Sequence, residues 1–270
     1  MKTTIIRTLA AVIGAGALAA SMQPASAAPA REDVPSFQEF KDATFQDVGG
    51  QYVVNGDETI ATTQQLRDYY DSMVGSKDTD SQSLVINTVG GADDTWSATT
   101  ARNLTYCVSD RFGSYKSAMV SAMQSGAGQW EAASSGVNFT YVPSADANCT
   151  VSNNSVLFSV EPVNTTQYIA RAFFPSTPDS QRNVLVDDSI WTSGSWTPSN
   201  ILAHELGHAL GFRHEHTRPE AGTCFEDNNW RPLTPYDSAS IMHYPQCNGS
   251  SSDLSMTETD RQGARSVYGS

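Results

Sequence analysis

The chain is expected to fold as an α+β protein. Three observations carry that expectation. Short alternating or β-branched runs recur between residues 103 and 187 without a helix between each pair. Two segments, 117–133 and 197–208, have helical spacing. After His214 the pattern becomes irregular until a last helical stretch at Glu258 to Tyr268.

The first 27 residues read as an export signal. Lys2 and Arg7 precede a short apolar run from Leu9 to Ala20, and Ala25-Ser26-Ala27 fits the small-residue rule for signal peptidase. The run is short for a bilayer span, so the product is expected to be secreted, extracellular and soluble, with no membrane partner. The chain has 270 residues and a formal charge of −13, which argues against nucleic acid as a partner. A monomer is expected.

Residues 28–94 stand apart, with thirteen acidic and four basic side chains and no cysteine. Within them, Gln51 to Val54 reads as a strand and Thr62 to Asp71 as a helix. Gly90-Gly91-Ala92-Asp93-Asp94 reads as an exposed, flexible junction of the kind proteases cut. A removable, inhibitory segment is one reading of this block. A permanently attached accessory domain is the other.

The remainder, 95–270, starts near Trp96. Strands are expected at 103–108, 137–142, 155–160 (stopped by Pro162), 169–174 and 183–187. The helix at 117–133 should bury Met119, Val120, Met123 and Trp130, although Gly126 and Gly128 weaken it. Thr197 followed by Pro198 is a strong helix start. Cys107, Cys149, Cys224 and Cys247 allow three pairings. Cys107–Cys149 and Cys224–Cys247 are favoured, because each then closes on one side of the 197–208 helix.

That helix carries the chemistry. His204 and His208 are four apart and project from one face, so both can reach one zinc ion. Glu205 is rotated by about 100° from His204, beside such a metal rather than on it, where a general base for water belongs. Gly211 can turn the chain through a left-handed conformation and return His214 as third ligand. Three imidazoles leave a fourth position open, the pattern of a catalytic zinc site. All five histidines lie between His204 and His243.

These residues resemble the metzincin zinc peptidases, and within them the astacin family. Glu215 follows the third histidine as in astacins. Ser240-Ile241-Met242-His243-Tyr244 is similar to the astacin Met-turn, and Arg218 matches an arginine of that family. Pro219-Glu220 departs from it. The close resemblance spans roughly residues 197–245. It implies a twisted mixed sheet flanked by helices, an active-site helix and an irregular C-terminal subdomain, preceded by signal peptide and propeptide. It implies a zinc metalloendopeptidase acting on proteins or peptides and matured by an activating protease. Tyr244 would bind the oxyanion, Met242 would lie beneath the imidazoles, and Glu215 would sit near the mature N-terminus. His216 and His243 are expected beside the site rather than on the metal. Val54-Asn55-Gly56-Asp57 looks like the Gly-Asp element by which astacin propeptides place a carboxylate on zinc. It is equally a common turn composition. Cleavage around Gly90 to Trp96 would then release activity. The alternative is a matrixin-like metzincin with an attached accessory domain.

Overall fold

The computed structural model describes residues 34–74 and 83–270. The export signal expected at residues 1–27 lies outside them. From Pro35 onward the chain is one compact unit.

The N-terminal part opens with α1 (Phe37–Ala43), begun by a capping box between Ser36 and Glu39. Strands β1 (Phe45–Gln46), β2 (Tyr52–Val54) and β3 (Glu58–Ile60) form a small antiparallel sheet. Helix α2 (Thr63–Val74) covers it. Tyr52, Val54, Leu66 and Tyr69 make a core of their own, with Phe37, Phe40, Ile60 and Met73 packed around it. The turn between β2 and β3 is Asn55-Gly56-Asp57, with φ of 56° at Asn55 and 103° at Gly56. Asparagine and glycine tolerate that region best.

Strand β4 (Ser83–Val89) and β5 (Ala92–Asp93) form a hairpin turned by Gly90 and Gly91. The glycines are exposed, but Asp94 is buried and accepts hydrogen bonds from Asn87 and Ser176. The junction expected to be flexible is therefore a hairpin with an anchored second arm. Helix α3 (Ala98–Ala101) follows, capped by Ser97.

The larger sheet uses β6 (Leu104–Val108), β7 (Phe139–Tyr141), β8 (Phe158–Val163), β9 (Ala170–Arg171) and β10 (Asn183–Asp187) in the order β7-β6-β8-β10-β9. Only β9 runs antiparallel to its neighbour, and it forms an edge. The sheet is mixed, as the resemblance implied. Pro162 does not stop β8; it lies inside it, opposite Val186. The pairing of β8 with β6 ends at Val160, so past that point one side of β8 needs no donor and proline is tolerated.

Helix α4 (Lys116–Ala133) lies against α5 (Pro198–Ala209), the helix begun by Thr197 and Pro198. Gly126 is what lets them approach. A Cβ there would lie 2.9 Å from both Ala203 N and Ser199 O. Trp130 donates its indole N–H to Ala203 O at 2.7 Å. Met119, Met123 and Trp130 are buried and Val120 partly so.

Beyond α5 the chain holds little regular structure: β11 (Phe212–Arg213), β12 (Trp230–Thr234) and α6 (Glu258–Tyr268). Strand β4 lies between β11 and β12, antiparallel to both. The disulfides are Cys107–Cys149 and Cys224–Cys247, one on each side of α5 in the sequence. Among the described residues no helix is long and apolar enough to cross a membrane.

Candidate metal and active site

Helix α5 presents His204 and His208 from one face, both buried. Gly211, with φ of 98°, ends the helix and reverses the chain. Two residues of β11 then deliver His214. Each imidazole is fixed from behind. His204 Nδ1 meets Ile241 O at 2.7 Å, His208 Nδ1 meets Phe212 O at 2.9 Å, and His214 Nδ1 meets Glu226 Oε1 at 2.7 Å. Carbonyl and carboxylate oxygens only accept, so each Nδ1 carries the proton and each Nε2 offers a lone pair.

The three Nε2 atoms converge, together with the carboxylate of Asp57. Asp57 Oδ2 lies 3.2 Å from His204 Nε2, and Asp57 Oδ1 lies 3.5 Å from His208 Nε2 and 3.1 Å from His214 Nε2. His204 Nε2 and His214 Nε2 are 3.3 Å apart. All four ligand atoms fall within 4.8 Å of one another. Lone pairs facing each other in a buried space are relieved by a cation between them, and these four groups could hold a metal ion. His208 Nε2 and Asp57 Oδ1 have no hydrogen-bond partner. Tetrahedral zinc with bonds of about 2.0–2.1 Å would set neighbouring ligand atoms roughly 3.3 Å apart, which these separations match. The residues therefore fit a zinc ion.

Glu205 is buried beside this cluster, and its Oε2 has no partner. Burial, and after it the Asp57 charge, raise its carboxyl well above the ordinary value. A cavity of about 210 Å³ opens next to it, lined in part by Ile169, Trp196, Ile201 and Leu254. Tyr244 stacks on His204 with ring centroids 5.3 Å apart and donates its hydroxyl to Asp57 Oδ2. Met242 is buried with its sulfur against Gly207 of α5, which has no side chain in the way. His216 stacks on His214 at 4.6 Å, and His243 bonds the hydroxyl of Tyr236 at 2.8 Å. Glu215 accepts from Asp237 N at 3.1 Å and lies 3.7 Å from Arg218.

The Gly-Asp element forms a turn, and that turn places the Asp57 carboxylate among the three histidines. Its flanks are tied down as well. Ala172 N donates to Asp57 O at 3.3 Å, and Thr59 Oγ1 donates to Ala172 O at 3.0 Å. The run 169–174, expected as a strand, forms one only at β9, and the residue after it binds this segment. Asp47 pairs with buried Arg171 at 2.6 Å.

Several residues at the site were not singled out from sequence. Arg213 is buried among Glu58, Glu226 and Asp227. Glu226 serves both Arg213 and His214. Asp260 caps α6 while accepting from Ser240 Oγ at 2.5 Å and Ile241 N at 2.9 Å, which pins the turn carrying Met242. The partners in each set lie far apart in sequence, so no local pattern marks them.

The family model described as Matrixin matches residues 95–221. Two relatives from Oryzias latipes, high choriolytic enzymes 2 and 1, are each 40% identical over 63 residues, 17% of this chain and 22% and 23% of theirs. Zinc metalloproteinase nas-30 of Caenorhabditis elegans is 40% identical over 63 residues, 16% of this chain and 8% of its own. The chain spans under a quarter of the length of these relatives. Among solved structures, myroilysin aligns at TM-score 0.45 and 18% identity, covering 65% of this chain and 95% of that one. High choriolytic enzyme 1 of Oryzias latipes, a hatching enzyme zinc-protease, aligns at 0.42 and 19%, covering 65% and 94%.

Proposed function

We propose, on the premise that residues 95–221 form a matrixin-type metzincin domain, that this chain is a secreted zinc-dependent endopeptidase made in latent form. The observation that carries the catalytic part is the convergence of three Nε2 lone pairs beside an unpaired buried glutamate. His204, His208 and His214 would hold zinc. Bound there, zinc supplies Lewis acidity that polarises a peptide carbonyl and brings water toward a pKa of about 7.

The chain's own groups do the rest. Glu205 accepts the proton of the attacking water and returns it to the leaving amine. The Tyr244 hydroxyl, beside the fourth position, donates to the oxyanion as charge develops. Ala172, whose backbone N–H and C=O both engage residues 57–59, offers the same groups to an extended substrate. Substrates are therefore proteins or peptides, recognised largely through backbone.

Latency rests on Asp57. A carboxylate in the fourth position excludes water, and the same carboxylate holds Tyr244 away from its task. An activating protease would then be required. The deciding experiment is hydrolysis of a denatured protein by the full chain, before and after limited proteolysis, with and without a chelator. Expected are a silent uncut chain, activity after the cut, loss with chelator, and measurable uncut activity in Asp57→Ala. No activity under any of these conditions would reject the peptidase reading. The match to the matrixin model keeps a second reading open, a matrixin-like enzyme with a permanent accessory domain. Full activity of the uncut wild type would favour it.

A further inference from the structure

Among the described residues two pieces of chain precede Trp96, and they are attached to the rest in different ways. Residues 35–74 have their own core. They meet the rest through polar and ionic contacts of Asp47, Asp57, Glu58 and Thr59 and a small apolar patch, Val53 against Tyr168 and Leu185 and Phe45 edge-on to Tyr168. When that segment leaves, water can take the place of these polar partners, which it cannot do for an apolar core.

Strand β4 is different. Leu84 and Ile86 belong to the main core, together with Trp130, Leu206, Phe212 and Met242. Leu84 sits against Gly263 of α6, where a Cβ would collide with it. On one side Ile86 and Val85 pair with Phe212 and Arg213, the two residues that deliver His214. On the other side β4 pairs with β12. Asn87 N donates to Gly211 O at 2.8 Å, at the turn between the second and third histidines. Without β4, the short strand β11 would lose its ladder partner and Phe212 its cover.

We propose that β4 is a permanent part of the mature enzyme, as the strand that positions His214, and that the cut which unblocks the site falls upstream of β4. The exposed Gly90-Gly91 hairpin lies downstream of β4. A cut there leaves β4 seated between β11 and β12, and leaves residues 35–74 covalently joined to a strand that cannot leave without opening the core. Activation from the hairpin would demand partial unfolding of the metal site. This inference rests on the reading that residues 35–74 are removed.

The test uses the full chain carrying one foreign protease site, placed either immediately before Ser83 or in the Gly90-Gly91 turn. After complete cutting, each sample is run on a native sizing column and the eluted species identified by mass and N-terminal sequence, with zinc content measured alongside. Expected for the first site is separation of the upstream fragment, with zinc retained by the species beginning at Ser83. Expected for the second is co-elution of both fragments. If cutting in the turn releases the upstream fragment and leaves a folded, zinc-loaded 91–270 species, the proposal is overturned. Loss of zinc from the species beginning at Ser83 also counts against it, since β4 alone would not then hold β11. These readouts do not need activity. Correct separation with zinc retained but no hydrolysis would reject the peptidase reading and keep the assignment of β4.

Discussion

His208 and His214 aim at the same point but are held there by opposite means. His208 belongs to α5, whose other side packs into apolar core against α4, with Gly126 allowing near contact of the two backbones. His214 hangs on a two-residue strand. Its orientation comes from Glu226, from the Arg213 network and from a segment closed by Cys224–Cys247. One half of the ligand set is oriented by close packing of its own helix; the other takes its backbone from the β4–β11 pairing and its side-chain orientation from charge and one disulfide. Close packing is insensitive to salt and pH, whereas buried ion pairs depend on every partner remaining. The helical half is therefore expected to be the rigid reference, and the other half the part that tunes metal affinity.

The largest expected effect bears on the helical half. Glu205→Ala should lower peptide hydrolysis by about 10²–10⁴-fold with zinc content unchanged, since Glu205 lies beside the ligand atoms. Zinc analysis of the purified variant checks this. A variant that lost its metal would show that α5 positions Glu205 as a ligand.

The next effects bear on the other half. Replacing Cys224 and Cys247 by serine opens a loop with sequence separation 23 and should cost roughly 3 kcal/mol on the chain-entropy model. Thermal unfolding with and without added zinc measures it, and protease nicking between residues 222 and 250 should rise. Glu226→Gln should weaken zinc binding by about 10–100-fold, because an amide is a poorer acceptor for the His214 N–H. A competition titration against a chelator reads it. Equal affinity in the variant would mean that His214 is held by β11 alone.

What was legible in the sequence follows the same division. His204, Glu205, His208, Gly211 and His214 could be placed because helix periodicity and a single left-handed glycine are local rules. Helices α4, α5 and α6 and strand β10 emerged close to their expected bounds for that reason. Gly126 looked like a flaw in a helix because its purpose, the approach of α5, is tertiary. Pro162 looked like a strand end because the sequence does not say which side of a strand is unpaired. Glu226, Arg213, Asp227 and Asp260 had no signature at all: a buried ion network is set by which distant segments meet. Strand β4 was read as part of the N-terminal block on charge and cysteine content, which say nothing of which core a strand enters.

The smallest expected effect sharpens the comparison from the packed side. Gly126→Ala gains roughly 1 kcal/mol of helix propensity but forces a methyl toward the α5 backbone, an overpacking cost of about 1–3 kcal/mol. A net loss near 1 kcal/mol is expected, with zinc affinity unaltered. Denaturant unfolding and the same competition titration measure both. Stability at or above wild type would show that α4 can shift away and that this half is less rigid than its packing suggests.

The Asp57 carboxylate reaches the three histidines and Tyr244 at once, and this bears on the kinetics of release. On the proposed latency, the carboxylate of the whole chain would compete with water at an effective concentration fixed by tether length, independent of how much protein is present. Once the tether is severed, the same segment becomes an ordinary competitive ligand and the block becomes second order. A freshly cut sample should therefore gain specific activity on dilution and lose it again on concentration. If the chain is secreted and latent as proposed, a compartment crowded with the cut protein would keep the site largely blocked, and escape into a larger volume would complete the activation.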